Sequence, residues 1–222
     1  MCIRDRHKSN PYANRDPRLA MSILTNNVEF KDRTIEAWTG GRDGKGVIHA
    51  TRTGYYIYKF IDPNLDLLQN RTSVHHWVIM RYAEILLSYA EAMNEAYGPT
   101  GNVGYRLNAV RALNQVRNRV GVEMPAVPTA ISKEELREKI RNERRVELAF
   151  EDHRFWDVRR WMIAPETLGT PLRGVEITKI SDEEFEYKPI EVEKRTFEPK
   201  MYLYPIPQAD LNTTGWVQNP LW

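Results

Sequence analysis

The chain has one cysteine, Cys2, so it can form no internal disulfide, and no second thiol exists to complete a cysteine-rich zinc site. No apolar run approaches the ~18 residues that mark a membrane-spanning helix. An excess of either charge is also missing. Lys+Arg 32 against Asp+Glu 30 leaves +2, too little for a chain held to nucleic acid by bulk charge. There is no G-x-S-x-G, no phosphate loop, no G-x-G-x-x-G and no H-E-x-x-H. Gly41-x-x-Gly44-x-Gly46 is rich in glycine but has no strand before it or helix after it to make a phosphate cradle. The five histidines show no i, i+4 pairing and no Cys/His spacing, so neither a metal site nor a cofactor is expected; His75-His76 reads as a surface or capping pair. The opening MCIRDRHKSN is charged and lacks an apolar core, so it is not read as a signal peptide. Residues 1–6 resemble translated adaptor sequence and are left out of the fold reasoning.

What is present describes a folded chain: 222 residues, 41% hydrophobic and 28% charged. Residues 7–76 are dense in turn formers (Asn10-Pro11, Asp16-Pro17, Gly40-Gly41, Asp43-Gly44, Asp62-Pro63), with one short strand expected at 55–60. Residues 77–165 read as a helical scaffold. Apolar residues from Tyr82 to Tyr97 recur at helical spacing over 77–97, and Gly98-Pro99 stops the run. A second helix is expected from about Tyr105 to Val120, antiparallel to the first. Ser132 with Glu135 forms a capping box that starts a third helix, reaching about Glu151, and a further helical piece runs to Pro165. Residues 166–222 form an extended segment packing back on the helices, with short edge strands split by Pro189. The fold class is therefore mainly α: helical hairpins wrapped by long irregular loops with a few short strands.

Two clusters could carry function. Glu143 and Glu147 share the stripe of Leu136, Ile140 and Phe150, where apolar residues belong. They are either an acid/base pair or metal ligands, or structural partners of Arg144, Arg145, Arg154 and Arg159. The density of arginine favours an ion network over a catalytic pair, and no catalytic residue is assigned. The second cluster is Trp38, Arg42, Asp43, Tyr55, Tyr56 and Tyr58 in the irregular region, where rings could stack on sugar faces while charges bond hydroxyls. Core packing is the competing account of any single ring.

An ordered series of segments then narrows the reading: NRDPRLAMSIL (14–24), GYYIYKF (54–60), MRYAEILLSYAEAMNEAYG (80–98), ALNQVRNRVGV (112–122), ELREKIRNERRVELAFEDHRFWDVRRW (135–161) and KMYLYPIPQADLNTTGWVQNPLW (200–222). Together they resemble the carboxy-terminal half of the SusD/RagB family, cell-surface glycan- or nutrient-binding lipoproteins of Gram-negative bacteria. The resemblance implies tetratricopeptide-like hairpins and non-catalytic binding of an oligosaccharide, polysaccharide or other nutrient. It also implies partnership with a TonB-dependent, SusC-like barrel transporter at the outer-membrane surface. The family's leader, lipid-bearing cysteine and amino-terminal half are not in these residues, and Asp152 stands where glycine is usual. By location and chemistry, Trp38, Arg42, Tyr55 and Tyr56 are the expected ligand contacts. The alternative is a helical-repeat scaffold that binds only protein.

Overall fold

The structure, a computed structural model, describes residues 10–74 and 76–222. The expected adaptor segment 1–6 and His75 lie outside the described residues. In chain order the elements are α1 (Arg18–Ser22), β1 (Ile23–Leu24), β2 (Glu29–Phe30), β3 (Arg33–Thr34), β4 (Tyr56–Ile57), α2 (Tyr82–Tyr97), α3 (Ala109–Arg117), α4 (Lys133–Glu147), α5 (His153–Arg160), α6 (Ala164–Leu168), β5 (Leu172–Lys179), β6 (Phe185–Glu193) and α7 (Gln208–Thr214). The fold is mainly α, with three two-stranded antiparallel sheets among the described residues.

One core joins three helices. Leu86, Leu87, Ala90 and Met93 of α2 meet Ala109, Val110, Ala112, Leu113 and Val116 of α3 and Leu136 and Ile140 of α4. Each large aliphatic side chain buried here stabilises the fold by about 1.5–3 kcal/mol. Local chemistry sets the boundaries. The Ser132 side chain accepts from the Glu135 amide and the Glu135 carboxylate accepts from Ser132, the expected capping box.

The other helices are shorter than their periodicity suggests. Asn108 caps α3 by accepting from the Arg111 amide at 2.9 Å, so that helix begins four residues after Tyr105. α2 starts at Tyr82 rather than near 77, because Arg81 is extended (φ −143°) and its side chain reaches α4. His76 is exposed and does not cap it. α4 ends at Glu147, followed by left-handed Phe150 (φ 64°) and Asp152 (φ 63°). The expected run to Pro165 breaks at Met162 (φ 56°), and Pro165 sits in the first turn of α6, where its missing N–H has no partner to lose.

A second core gathers Leu24, Ile35, Ala37, Val175, Ile177 and Phe185, with Phe30, Trp38, Tyr55, Tyr56, Tyr58 and Tyr187 packed against it. The β5–β6 hairpin holds it together, and β6 is continuous rather than split by Pro189. Pro189 lies opposite Val175, whose amide donates away from β6 to the Thr53 carbonyl at 2.9 Å. This pair exchanges no ladder bonds, so the donor that proline lacks belongs on the open edge.

At the carboxy-terminal end, α7 follows the extended Leu203–Pro207 segment. The last residues fold onto that segment. Asn219 donates to the Tyr204 carbonyl at 2.6 Å, and the Trp222 indole donates to Lys200 and Leu203 carbonyls at 3.1 and 3.0 Å.

Candidate functional site

α4 presents Glu143 and Glu147 inward, and Glu151 follows one turn later; all three are buried. Their cations come from four other segments. Arg18 of α1 donates to Glu143 Oε1 at 2.5 Å and to Glu147 Oε2 at 2.9 Å. Arg117, the last residue of α3, donates to Glu143 Oε2 at 2.6 Å, and Arg119 pairs with Glu147 Oε1. Arg81 donates to Glu147 Oε1 at 2.6 Å and to both oxygens of Glu151, at 2.7 and 2.9 Å. Lys59 bonds Glu151 Oε1 at 2.5 Å and the Ala149 carbonyl at 2.9 Å. Lys59 and Arg81 thereby also satisfy carbonyls left open at the end of α4.

Burial alone would raise the carboxyls of Glu147 and Glu151. Hydrogen bonds from Arg18, Arg81 and Arg119 to Glu147, and from Arg81 and Lys59 to Glu151, outweigh it and hold both below the usual range. Burial works against the charge of Arg18 too, yet Asp16, Glu143 and Glu147 raise its pKa above the ordinary arginine value. Every oxygen of Glu143 and Glu147 is engaged by a guanidinium, so neither is free to take a proton from a substrate.

The partners expected from sequence need correcting. Arg144, Arg145, Arg154 and Arg159 form no ion pair with Glu143 or Glu147. Arg145 lies two positions from each carboxylate and points to another face, whereas Arg144, three before Glu147, is taken up by other partners. Arg144 is buried and bonds Asp157 at 2.9 Å and Ser88 at 3.0 Å, tying α4 to α5 and α2. Arg145 is exposed, and Arg154 is partly buried with no ion-pair partner among the described residues. Arg159 lies over the Phe155 ring, 3.5 Å from its centre.

The rings at 38–58 are brought together, but as packing. Trp38 lies on Phe185 with ring centres 5.4 Å apart. Tyr55 meets Tyr12 edge-on at 6.2 Å. The Tyr56 hydroxyl donates to the Asp43 carbonyl at 2.8 Å and accepts from the Thr51 amide at 3.2 Å. Asp43 is held by both arms of Arg33, at 2.6 and 2.7 Å. Gly44 passes so close to the Trp38 carbonyl that no Cβ would fit, which explains one glycine of the run. Arg42 alone of the four expected contacts stands exposed, its backbone amide donating to Glu36 Oε2 at 3.1 Å. An open cleft of about 1000 Å³ between residues 14–16, the 124–131 loop and α4 includes none of these four; Arg15, Glu134, Glu138 and Lys139 are among its lining. Among the described residues, no group of three or more His, Cys, Asp or Glu is placed to hold a metal ion.

The model of the SusD family matches residues 3–222. The chain belongs to the SusD family. Among curated SusD-like relatives, protein P2 of Formosa agariphila is 34% identical over 120 residues, covering 52% of this chain and 22% of its own length. Protein P38 of the same organism is 35% identical over 104 residues, 44% of this chain and 19% of its own. A SusD-like protein of Bacteroides fragilis superposes with TM-score 0.77 at 32% identity, over 95% of this chain and 40% of the relative. A SusD-like carbohydrate-binding protein of the same species gives 0.68 at 31% identity, over 93% and 42%. This SusD-family chain thus spans about a fifth of the curated relatives it matches and about two fifths of the solved ones.

Proposed function

We propose that this SusD-family chain belongs to a non-catalytic glycan- or nutrient-binding component of an outer-membrane uptake system, which passes oligosaccharide or another nutrient to a TonB-dependent, SusC-like barrel transporter. The family match over residues 3–222 carries this reading. A solved relative named as carbohydrate-binding, 31% identical, supports the ligand class. The fully engaged oxygens of Glu143 and Glu147 support binding without cleavage. No helix among the described residues is long and apolar enough to cross a membrane, and attachment to the cell surface through a lipid anchor is part of the proposal. So is the view of the chain as a portion of a larger SusD-like domain, with ligand loops in 7–76 carried on the scaffold of 77–165.

Within those loops Arg42 is the contact to test. Trp38, Tyr55 and Tyr56 contribute their outward edges, because each is also committed to packing. The experiment is affinity electrophoresis against a polysaccharide panel, comparing the wild-type chain with Arg42→Ala. Retention on at least one polysaccharide, weakened in the variant at an unchanged circular-dichroism spectrum, is expected. A folded chain retained by none, yet forming a stable complex with the barrel transporter, would instead leave a scaffold that binds only protein.

A further inference from the structure

α2 and α3 are joined by residues 98–108, a longer link than the roughly 2–8 residues usual between neighbouring helices, and links of that kind are often functional. This one is pinned at several points. The Val110 amide donates to the Pro99 carbonyl at 3.1 Å, the Tyr105 amide to the Asn102 carbonyl at 2.7 Å and the Tyr89 hydroxyl to the Leu107 carbonyl at 2.7 Å. Gly101 passes so near the end of α2 that a Cβ there would sit 2.3 Å from the Tyr97 carbonyl oxygen. Val103 is left-handed at φ 38°, a conformation that a β-branched residue adopts only under constraint. The link buries none of its own residues, whereas the one from α3 to α4 buries Val122 and Val127.

What the link holds in place is a pair of rings. Tyr97, the last residue of α2, and Tyr105 have ring centres 6.1 Å apart and planes tilted by 39°. They are 42% and 52% exposed and belong to neither hydrophobic core. Neither hydroxyl has a hydrogen-bond partner among the described residues. The rings of 38–58 differ on both counts: they pack on the second core, and the Tyr56 hydroxyl both donates and accepts. Asn102 and Arg106 stand on either side of Tyr105 in the chain, exposed, with side chains that bond nothing among the described residues. Two open ring faces are thus combined with hydroxyls, an amide and a guanidinium that still have donors and acceptors to offer.

We propose that Tyr97 and Tyr105 form a second carbohydrate platform, outside the loops of 7–76, on which the apolar face of a pyranose rests while Asn102 and Arg106 bond its hydroxyls. The inference rests on reading the chain as part of a glycan-binding protein. The sugar lies across the pair, because a ring sandwiched between them would need about 3.5–4.0 Å of carbon contact on each side, more than 6.1 Å between centres provides. An apolar protein surface laid on the same rings would strip water from both tyrosine hydroxyls without bonding them, at about 1–3 kcal/mol each, whereas sugar hydroxyls replace that water. The pinned link leaves little to be ordered on binding.

The test is affinity electrophoresis of the chain in gels holding amylopectin, xylan, laminarin or pectin, with circular dichroism of every variant as the check on folding. On a polysaccharide that retards wild type, Tyr97→Ala and Tyr105→Ala should each weaken binding by roughly fivefold or more, while Tyr105→Phe, which keeps the ring face, should stay within about twofold. The double variant Asn102→Ala/Arg106→Ala removes side chains that hold nothing in the fold, and it should weaken binding at an unchanged spectrum. It decides the matter where a tyrosine-to-alanine change disturbs the link itself. Retention of wild type, with unchanged affinity in every folded variant of Tyr97, Tyr105, Asn102 and Arg106, would overturn the platform and leave the glycan-binding reading standing. Retention of wild type by none of the four polysaccharides would overturn both.

Discussion

Replacing Glu147 by Gln tests the ion network most directly, because the side chain is fully buried and serves three arginines. The side chain of Arg18 is 4% exposed, that of Arg81 27% and that of Arg119 39%. Glutamine keeps the volume but removes the charge and turns an N–H toward groups that only donate. Removing one partner from a buried pair typically costs about 3–5 kcal/mol, because the opposite charge stays desolvated. Here Arg18 keeps Asp16 and Glu143, Arg81 keeps Glu151, and Arg119 can turn to water, so the lower end, about 3 kcal/mol, is expected. For a chain of this size that is a fall in Tm of roughly 6–12 °C. Urea unfolding followed by circular dichroism, with the slope unchanged, isolates the stability effect. Glu95→Gln, which removes the exposed partner of Arg137, is the control and should leave the midpoint where it was. A loss below about 1 kcal/mol for Glu147→Gln would refute the view that this network holds the loops to the helices.

Acid should find the same network and, beside it, the Glu91–Arg160 pair. The carboxyls of Asp16, Glu91, Glu147 and Glu151 are lower in the fold than their ordinary values of 3.8 for Asp and 4.5 for Glu. Their contribution is therefore complete above those values and lost as pH falls through the lowered ones, so Tm should be level from pH 7 to about 5 and drop below pH 4.5. A Tm that rises on acidification below pH 4.5 would contradict this. Asp152→Gly should stabilise by about 0.5 kcal/mol, left-handed strain relieved minus the extra freedom of an unfolded glycine, while Asp152→Val should destabilise; thermal melts separate the two. Gly44→Ala should destabilise by about 1–3 kcal/mol, because its methyl collides with the Trp38 carbonyl, and near-ultraviolet circular dichroism should report disturbed tryptophan packing.

What could be read from the residues divides along physical lines. Helical spacing marked α2, α3 and α4, and the Ser132–Glu135 box marked the start of α4 to the residue, because these signals are local. The turns lost before α2 and after α3 were not legible, since they were given up to long-range charge. Arg81 and Arg119 lie beyond the ends of α2 and α3, and both reach Glu147 from there. The inward position of Glu143 and Glu147 announced an ion network, but periodicity says nothing about which distant cation arrives. Of the nearest arginines in sequence, Arg145 sits two positions from each carboxylate and leaves the face, while Arg144, three before Glu147, goes to Asp157 and Ser88 instead. β5 was not expected, although Val175 and Ile177 alternate around Glu176 as in a half-buried strand. Its order in LRGVEITK depends on Tyr187 and Phe185 opposite and on the Thr53 carbonyl beside it, none of which is local. The rings at 38–58 were legible as a cluster, whereas their half-buried placement followed from that same hairpin.

The network also bears on how a loop-built surface stays shaped. Loops lose much conformational entropy on ordering, and those around residues 14–60 bury little aliphatic core to offset it. They are fastened instead at two points of contact with the helices. Arg18 lies one helical turn before Ser22, whose carbonyl accepts from the Tyr58 amide at 2.9 Å, and Lys59 follows Tyr58. Both cations end on the carboxylates of α4 and the turn that follows it. The β1–β4 pairing sits between these two anchors, so the segment bearing Tyr55 and Tyr56 is held in register with the helical scaffold by charge. A shift of α4 would move Glu143, Glu147 and Glu151 together and carry those loops with it. Glu151 stands between left-handed Phe150 and Asp152, beyond the end of α4, and meets Arg81 and Lys59 from there.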